Sequence, residues 1–140
     1  MTDEQLTAAI EAHFRVTVHN YAEMDTIDSW LEQDGRMVAY CERKCRNVTR
    51  DAYPTAVVDD RKWTGLLAAE FATGLPSILA YAWSDGSWGH IRPSRMPQLT
   101  LRVLAPGPEA VSLNAGVSRP VVDIPIDAFE MHTATARGAA

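Results

Sequence analysis

Residues 26–48, TIDSWLEQDGRMVAYCERKCRNV, decide how this chain is read. Two runs rich in β-branched and aromatic side chains flank Asp34–Gly35, a dipeptide suited to a tight hairpin turn. The stretch therefore predicts a β-hairpin. Side chains alternate along a strand. On the second strand Met37, Ala39, Cys41 and Cys45 share one face, interrupted by Arg43. Val38, Tyr40, Glu42, Lys44 and Arg46 share the other. The first face is apolar enough to pack against a helix. The second begins apolar and becomes charged, like a strand running from a core into an open cleft.

The turn decides which residue of the first strand faces Glu42. A three-residue loop Gln33–Asp34–Gly35, with Gly35 left-handed, would pair Glu32 with Arg36 and set Asp28 opposite Tyr40, diagonal to Glu42 on the same face. A two-residue Asp34–Gly35 turn would set Asp28 opposite Cys41, on the other face, unless a bulge restores it. The three-residue loop is preferred here because it gathers Asp28, Glu42 and Lys44.

Three such groups imply specific chemistry. Two carboxylates are hard oxygen ligands for Mg²⁺ or Mn²⁺. A cation there lowers the pKa of water and offsets phosphate charge. An ammonium two residues on stabilises a pentavalent transition state, and Arg46 on the same face grips a phosphate. The ordinary alternative is a solvated Glu42–Lys44 pair worth ~0.5 kcal/mol.

Working outward, Leu6, Ile10 and Phe14 recur at helical spacing, so residues 3–14 predict a helix capped by Thr2 or Asp3. RVTVHNY reads as a strand or an extended connection. Pro54 makes TRDAYPT a loop, and TAVVD is a short strand. Residues 60–73 form the clearest helix. Asp59 or Asp60 caps it, Trp63, Leu66, Leu67 and Phe71 line one face, and Gly74 and Pro76 end it. PSILAYAW is a buried strand, SDGSW a turn, and GHIR, QLTLRVLA and PVVDIPIDAF further extended segments. The order predicts an α/β protein with a central mixed β-sheet flanked by helices. Residues 1–132 read as a single domain and 133–140 as a disordered tail.

The chain has 140 residues, enough for one core, with 46% hydrophobic and 22% charged residues, as in ordinary globular proteins. The acidic, amphipathic start and the lack of a long apolar run lead us to expect a cytoplasmic protein with no membrane partner. The net charge of −5 argues against a protein that coats DNA broadly. Its distribution is uneven: eight acids against Arg15 in residues 1–35, then seven bases against four acids in residues 36–62. Acids before the turn and bases after it suit a cation and a phosphate held side by side. Cys41 and Cys45 lie too far apart on one strand to bond and read as core residues. The four histidines, His13, His19, His90 and His132, are scattered, and no zinc spacing is present.

Asp28, YCERKCRN, YPT and the helix opening KWTGLLA together resemble the PD-(D/E)XK nuclease superfamily, most closely its small phage-type members. GLPSILAYAWSDG and VVDIPIDAF are similar to that group's last strands, so the resemblance runs loosely from residue 3 to about 130. It implies a restriction-endonuclease-like core and a Mg²⁺- or Mn²⁺-dependent endonuclease acting on DNA, with a homodimer expected. Asp28, Glu42 and Lys44 correspond to the catalytic residues, with Asp28 and Glu42 as metal ligands. Asp25 is the second candidate for the first acid. Glu11 resembles the additional helix ligand of some members. Arg46, Lys62 and Tyr53 fall where members contact the nucleic-acid backbone or support the site. Two rivals remain: a catalytically inactive nuclease-fold module that binds nucleic acid or protein, and a thiol-dependent protein using Cys41 and Cys45.

Overall fold

The structure, a computed structural model, describes residues 1–22, 26–96, 100–104 and 119–133, of which 100–104 and 119 by backbone alone. Asp25 and the tail from residue 134 lie outside these residues. Helix α1 (Asp3–Phe14) opens with a capping box: the Thr2 hydroxyl accepts from Gln5 N, and the Gln5 side chain accepts from Thr2 N. Its buried residues Leu6, Ala9 and Ile10 form the predicted stripe. Helix α2 (Asp60–Thr73) is capped by Asp59, whose carboxylate accepts from Arg61 N. Gly74 closes it with φ 78°, a conformation glycine adopts without a Cβ penalty.

Among the described residues, nine strands form two sheets. Six build the central one in the order β1 (Thr17–Asn20), β2 (Ser29–Gln33), β3 (Arg36–Cys45), β5 (Ser77–Ala82), β6 (Trp88–Ile91), β9 (Glu130–His132). Among the described strands only β3 and β5 pair in parallel, so the sheet is mixed. The crossover between them carries β4 (Thr55–Asp59) and α2. A smaller antiparallel sheet has the order β4, β8 (Arg119–Pro125), β7 (Thr100–Leu104). Sequence reading did not separate this second sheet, nor β9 from the end of β8.

Strand alternation sorts the core into two layers. Ala39 and Cys41 of β3, with Ile78, Ala80 and Ala82 of β5 and Trp88 of β6, meet Leu6, Ala9 and Ile10 of α1. On the opposite face Leu79 and Tyr81 meet Trp63 and Leu66 of α2, with Ala56, Val58, Val122 and Ile124 of the small sheet. The protein is therefore α/β: α1, the mixed sheet, then α2 beside the second sheet. All of β5 is buried, as its unbroken apolar run requires.

Phe71 corrects the expected α2 stripe, being 94% exposed. Glu70, not Phe71, turns toward the sheet. It pairs with Arg92 at 2.8 Å and accepts from Ser77 N and the Ser94 hydroxyl. One residue further on, 100° around the helix, Phe71 faces solvent.

The hairpin turn also differs from the preferred reading. Asp34 (φ 53°) and Gly35 (φ 78°) form a two-residue turn, with Gln33 opposite Arg36 and Glu32 opposite Met37. Left uncorrected, that register would put Asp28 on the wrong face. The ladder then shifts between Leu31 and Glu32, so Leu31 faces Ala39 and Val38 has no residue across from it. Ser29 consequently faces Cys41, and one step further Asp28 comes level with Glu42.

Candidate active site

Glu42 sits on the α2 face of β3, only 7% exposed. The backbone N–H of Asp28 donates to its Oε1 at 3.2 Å, and Lys62 Nζ lies 3.8 Å from the same oxygen. Burial pushes the Glu42 carboxyl up from 4.5 to about 7 against the opposing pull of Lys62, with the Asp28 charge adding to the rise. Lys44, two residues along the same face, is pushed down by burial first and by neighbouring Arg46 and Lys62, while Glu42 and Asp59 oppose the shift. β3 and the start of α2 thus bring Glu42, Lys44 and Lys62 into one electrostatic group.

Asp28 approaches this group differently. Its backbone reaches Glu42, but its carboxylate turns to Arg43, with Nε to Oδ2 at 2.8 Å. Arg43 also donates to the Thr7 hydroxyl of α1 and to the Asn20 side chain at the end of β1. One guanidinium, 10% exposed, therefore ties α1, β1 and Asp28 to β3. Burial lowers the Arg43 pKa, but the hydrogen bond to Asp28 and its charge outweigh this, so it rises overall. In the sequence, Arg43 was only an interruption of an apolar face. An ionisable side chain at an inward strand position is the signal that would have marked it as a buried clamp.

The remaining predicted residues separate. Lys62, expected to contact nucleic acid or support the site, sits at Glu42 and donates to the Thr26 carbonyl at 3.1 Å. The Arg46 guanidinium donates to the Tyr81 hydroxyl and to the Val57 carbonyl, both at 2.7 Å, and borders a cleft of about 490 Å³. Arg50 and Tyr53 line that cleft too, and Tyr53 is 62% exposed. The cleft lies beyond Lys44 along the strand, not over Glu42. Glu11 is not brought to the acids. Its carboxylate accepts from Val18 N at 2.9 Å, because α1 packs on the opposite face of the sheet from Glu42. Burial pushes the thiols of Cys41 and Cys45 up, to about 12 and about 11, so neither is a thiolate near neutral pH.

The family model described as "Phage putative PDDEXK endonuclease" matches residues 1–131. The chain belongs to this family. It is accordingly a nuclease of the PD-(D/E)XK type. Among solved structures, the chain is similar to Hjc, a Holliday junction resolvase from Archaeoglobus fulgidus. The two are 9% identical, the match covers 68% of this chain and 80% of that one, and the TM-score is 0.49. No curated protein gives a significant match.

Within this phage-type endonuclease, α2 itself holds the segment leading to Asp28. At Gly65 a Cβ would fall 2.5 Å from the Thr26 methyl and 4.0 Å from Ile27. Helix and segment touch because glycine leaves that space. Gly65→Val should displace Thr26–Asp28 and cost about 1–3 kcal/mol through overpacking. Cleavage should fall further than the loss of folded protein explains, as measured by specific activity of the folded fraction. Unchanged specific activity would show that the segment does not position the site.

Proposed function

We propose that this endonuclease hydrolyses DNA phosphodiester bonds, using Mg²⁺ or Mn²⁺ held by Asp28 and Glu42 beside Lys44. The observation that carries this reading is the buried Glu42 carboxylate, level with Asp28 across the hairpin and raised toward neutral pH. The donor types suit such a cation, which would draw the Asp28 carboxylate from Arg43 toward Glu42. Both residues offer hard carboxylate oxygens. Arg43 engages Oδ2 of Asp28, and a carboxylate bound through one oxygen keeps the other available. A bound divalent cation supplies a lowered water pKa and positive charge facing the phosphate. Lys44 opposes the charge that develops on the phosphoryl oxygens. Arg43 fixes the Asp28 side chain, and the Lys62 ammonium, donating to the Thr26 carbonyl, stands beside Glu42. Arg46, Arg50 and Tyr53 present cationic and aromatic groups to the nucleic-acid backbone along the neighbouring cleft.

The test is incubation with single-stranded, duplex and branched DNA, with Mg²⁺, with Mn²⁺ and with chelator. Metal-dependent cleavage of at least one substrate, lost in Lys44→Ala, is expected. Absence of cleavage under every condition overturns the enzymatic reading.

One observation favours a second reading. Both acids already have a cationic neighbour, Arg43 at 2.8 Å and Lys62 at 3.8 Å, as a metal-free nucleic-acid-binding module would need. Mg²⁺ would then leave the melting temperature unchanged. At a hundredfold excess over its dissociation constant, a bound ion adds about 2.7 kcal/mol.

A further inference from the structure

Three of the four histidines, scattered in the sequence, meet at the far edge of the central sheet. In β9, Glu130 pairs across from His90 and His132 across from Trp88, so alternation puts all four side chains on the α1 face. His13, in the last turn of α1, reaches the same spot. Its ring centroid lies 3.8 Å from that of His132. His90 Nδ1 lies 2.8 Å from His132 Nε2, with the two rings stacked. One ligand atom each from His13, Glu130 and His132 falls within a 4.8 Å circle of mutual distances.

We propose that His13, Glu130 and His132 form a second cation site, selective for Zn²⁺-class ions over Mg²⁺, with His90 orienting the His132 ring. Two imidazoles and a carboxylate are the donor set of three-ligand zinc centres, whereas Mg²⁺ prefers oxygen. Tetrahedral zinc with ligand bonds of about 2.0–2.1 Å needs ligand atoms roughly 3.3 Å apart. Atoms already within 4.8 Å reach that spacing by side-chain rotation, because His13 and Glu130 are exposed. A hydrogen-bonded partner that fixes a ligand imidazole is a recurrent feature of such centres, and the half-buried His90 stands in that relation to His132. The ligands come from α1 and from β9, a three-residue edge strand paired only with β6 among the described strands. Binding there would staple the edge strand to the helix. The site lies on the other face of the sheet from Glu42, so it is independent of the proposed nuclease centre.

The full chain should be melted without metal, with Mg²⁺ and with Zn²⁺, and titrated with Zn²⁺ by calorimetry. Zn²⁺ should raise Tm by several degrees with one equivalent bound at high affinity. His13→Gln with Glu130→Gln, both exposed positions, should abolish the shift, while Glu42→Gln should retain it. Co²⁺ should give a visible absorption band with the native chain that each single variant, His13→Gln and Glu130→Gln, weakens. A native chain unmoved by Zn²⁺ overturns the proposal. So does a shift that persists in the double variant, which would place the ion elsewhere, for instance on Cys45.

Discussion

Glu42→Gln should cut DNA cleavage by about 10²–10³-fold while making the metal-free protein more stable at pH 8. The two effects share one cause. In the native chain the Glu42 carboxyl is raised from 4.5 to about 7, chiefly by burial. A carboxyl raised on folding gives its full stability below pH 4.5, where it is neutral in both states. That stability falls as pH climbs from 4.5 to 7 and is gone above it. The difference of about 2.5 pKa units corresponds to an order of 3 kcal/mol, reduced by loss of the Lys62 contact in the variant. Denaturant unfolding at pH 4 and pH 8, in EDTA, checks this. The variant should match the native chain at pH 4 and exceed it at pH 8. Equal stability at both values would mean that Glu42 ionises freely and is not held as a charge-deficient ligand. Mg²⁺ should stabilise the native chain more at pH 8 than at pH 5, because below pH 7 protons compete for the same oxygens.

Arg43→Met should have the largest effect on folding. It removes a guanidinium that joins Thr7, Asn20 and Asp28 across three elements, and leaves an aspartate facing an apolar side chain. Breaking a fully buried pair costs 3–5 kcal/mol. Asp28 is 34% exposed and partly screened, so about 2–3 kcal/mol is expected, a fall in Tm on the order of 10 °C. Below the melting transition, the folded variant should also cleave more slowly and require more Mg²⁺ for half-maximal rate, since its Asp28 is no longer held. Arg43→Lys should restore part of the stability, having one point charge in place of the planar fork. A folded Arg43→Met chain with native Mg²⁺ dependence would limit Arg43 to a structural role.

Much of the fold could be read from local chemistry. The helix caps, expected at Thr2 or Asp3 and at Asp59 or Asp60, the Gly74 stop and the unbroken apolar run of β5 each act within a few residues, and the structure has the caps at Thr2 and Asp59 and matches the other two. The hairpin was legible only in part. Asp34–Gly35 announced a turn, but the residue absorbed at Val38 leaves no compositional trace, and that bulge decides which face Asp28 shares. The second sheet was hidden because β4 leaves the first sheet without any change in strand character. Phe71 misled because helical period marks an angle but not where the sheet beneath it ends. Of the candidate site, Glu42 and Lys44 share one face of β3 as strand alternation indicated, but Lys62 joins them from α2, which alternation could not show, and the Asp28 carboxylate turns to Arg43 instead. The Arg43 clamp was missed, since α1, β1 and Asp28 converge on it from 36, 23 and 15 residues away. The His13, His90 and His132 cluster was missed for the same reason: residues distant in sequence meet only where β9 closes the sheet.

The most direct measurement is anomalous diffraction from crystals soaked in Mn²⁺. A strong peak bounded by the carboxylates of Asp28 and Glu42, with Lys44 nearby and absent from crystals of Glu42→Gln, is the predicted result. Saturating Mn²⁺ that leaves these two carboxylates bare, with Asp28 still closed on Arg43 alone, would contradict the proposed centre.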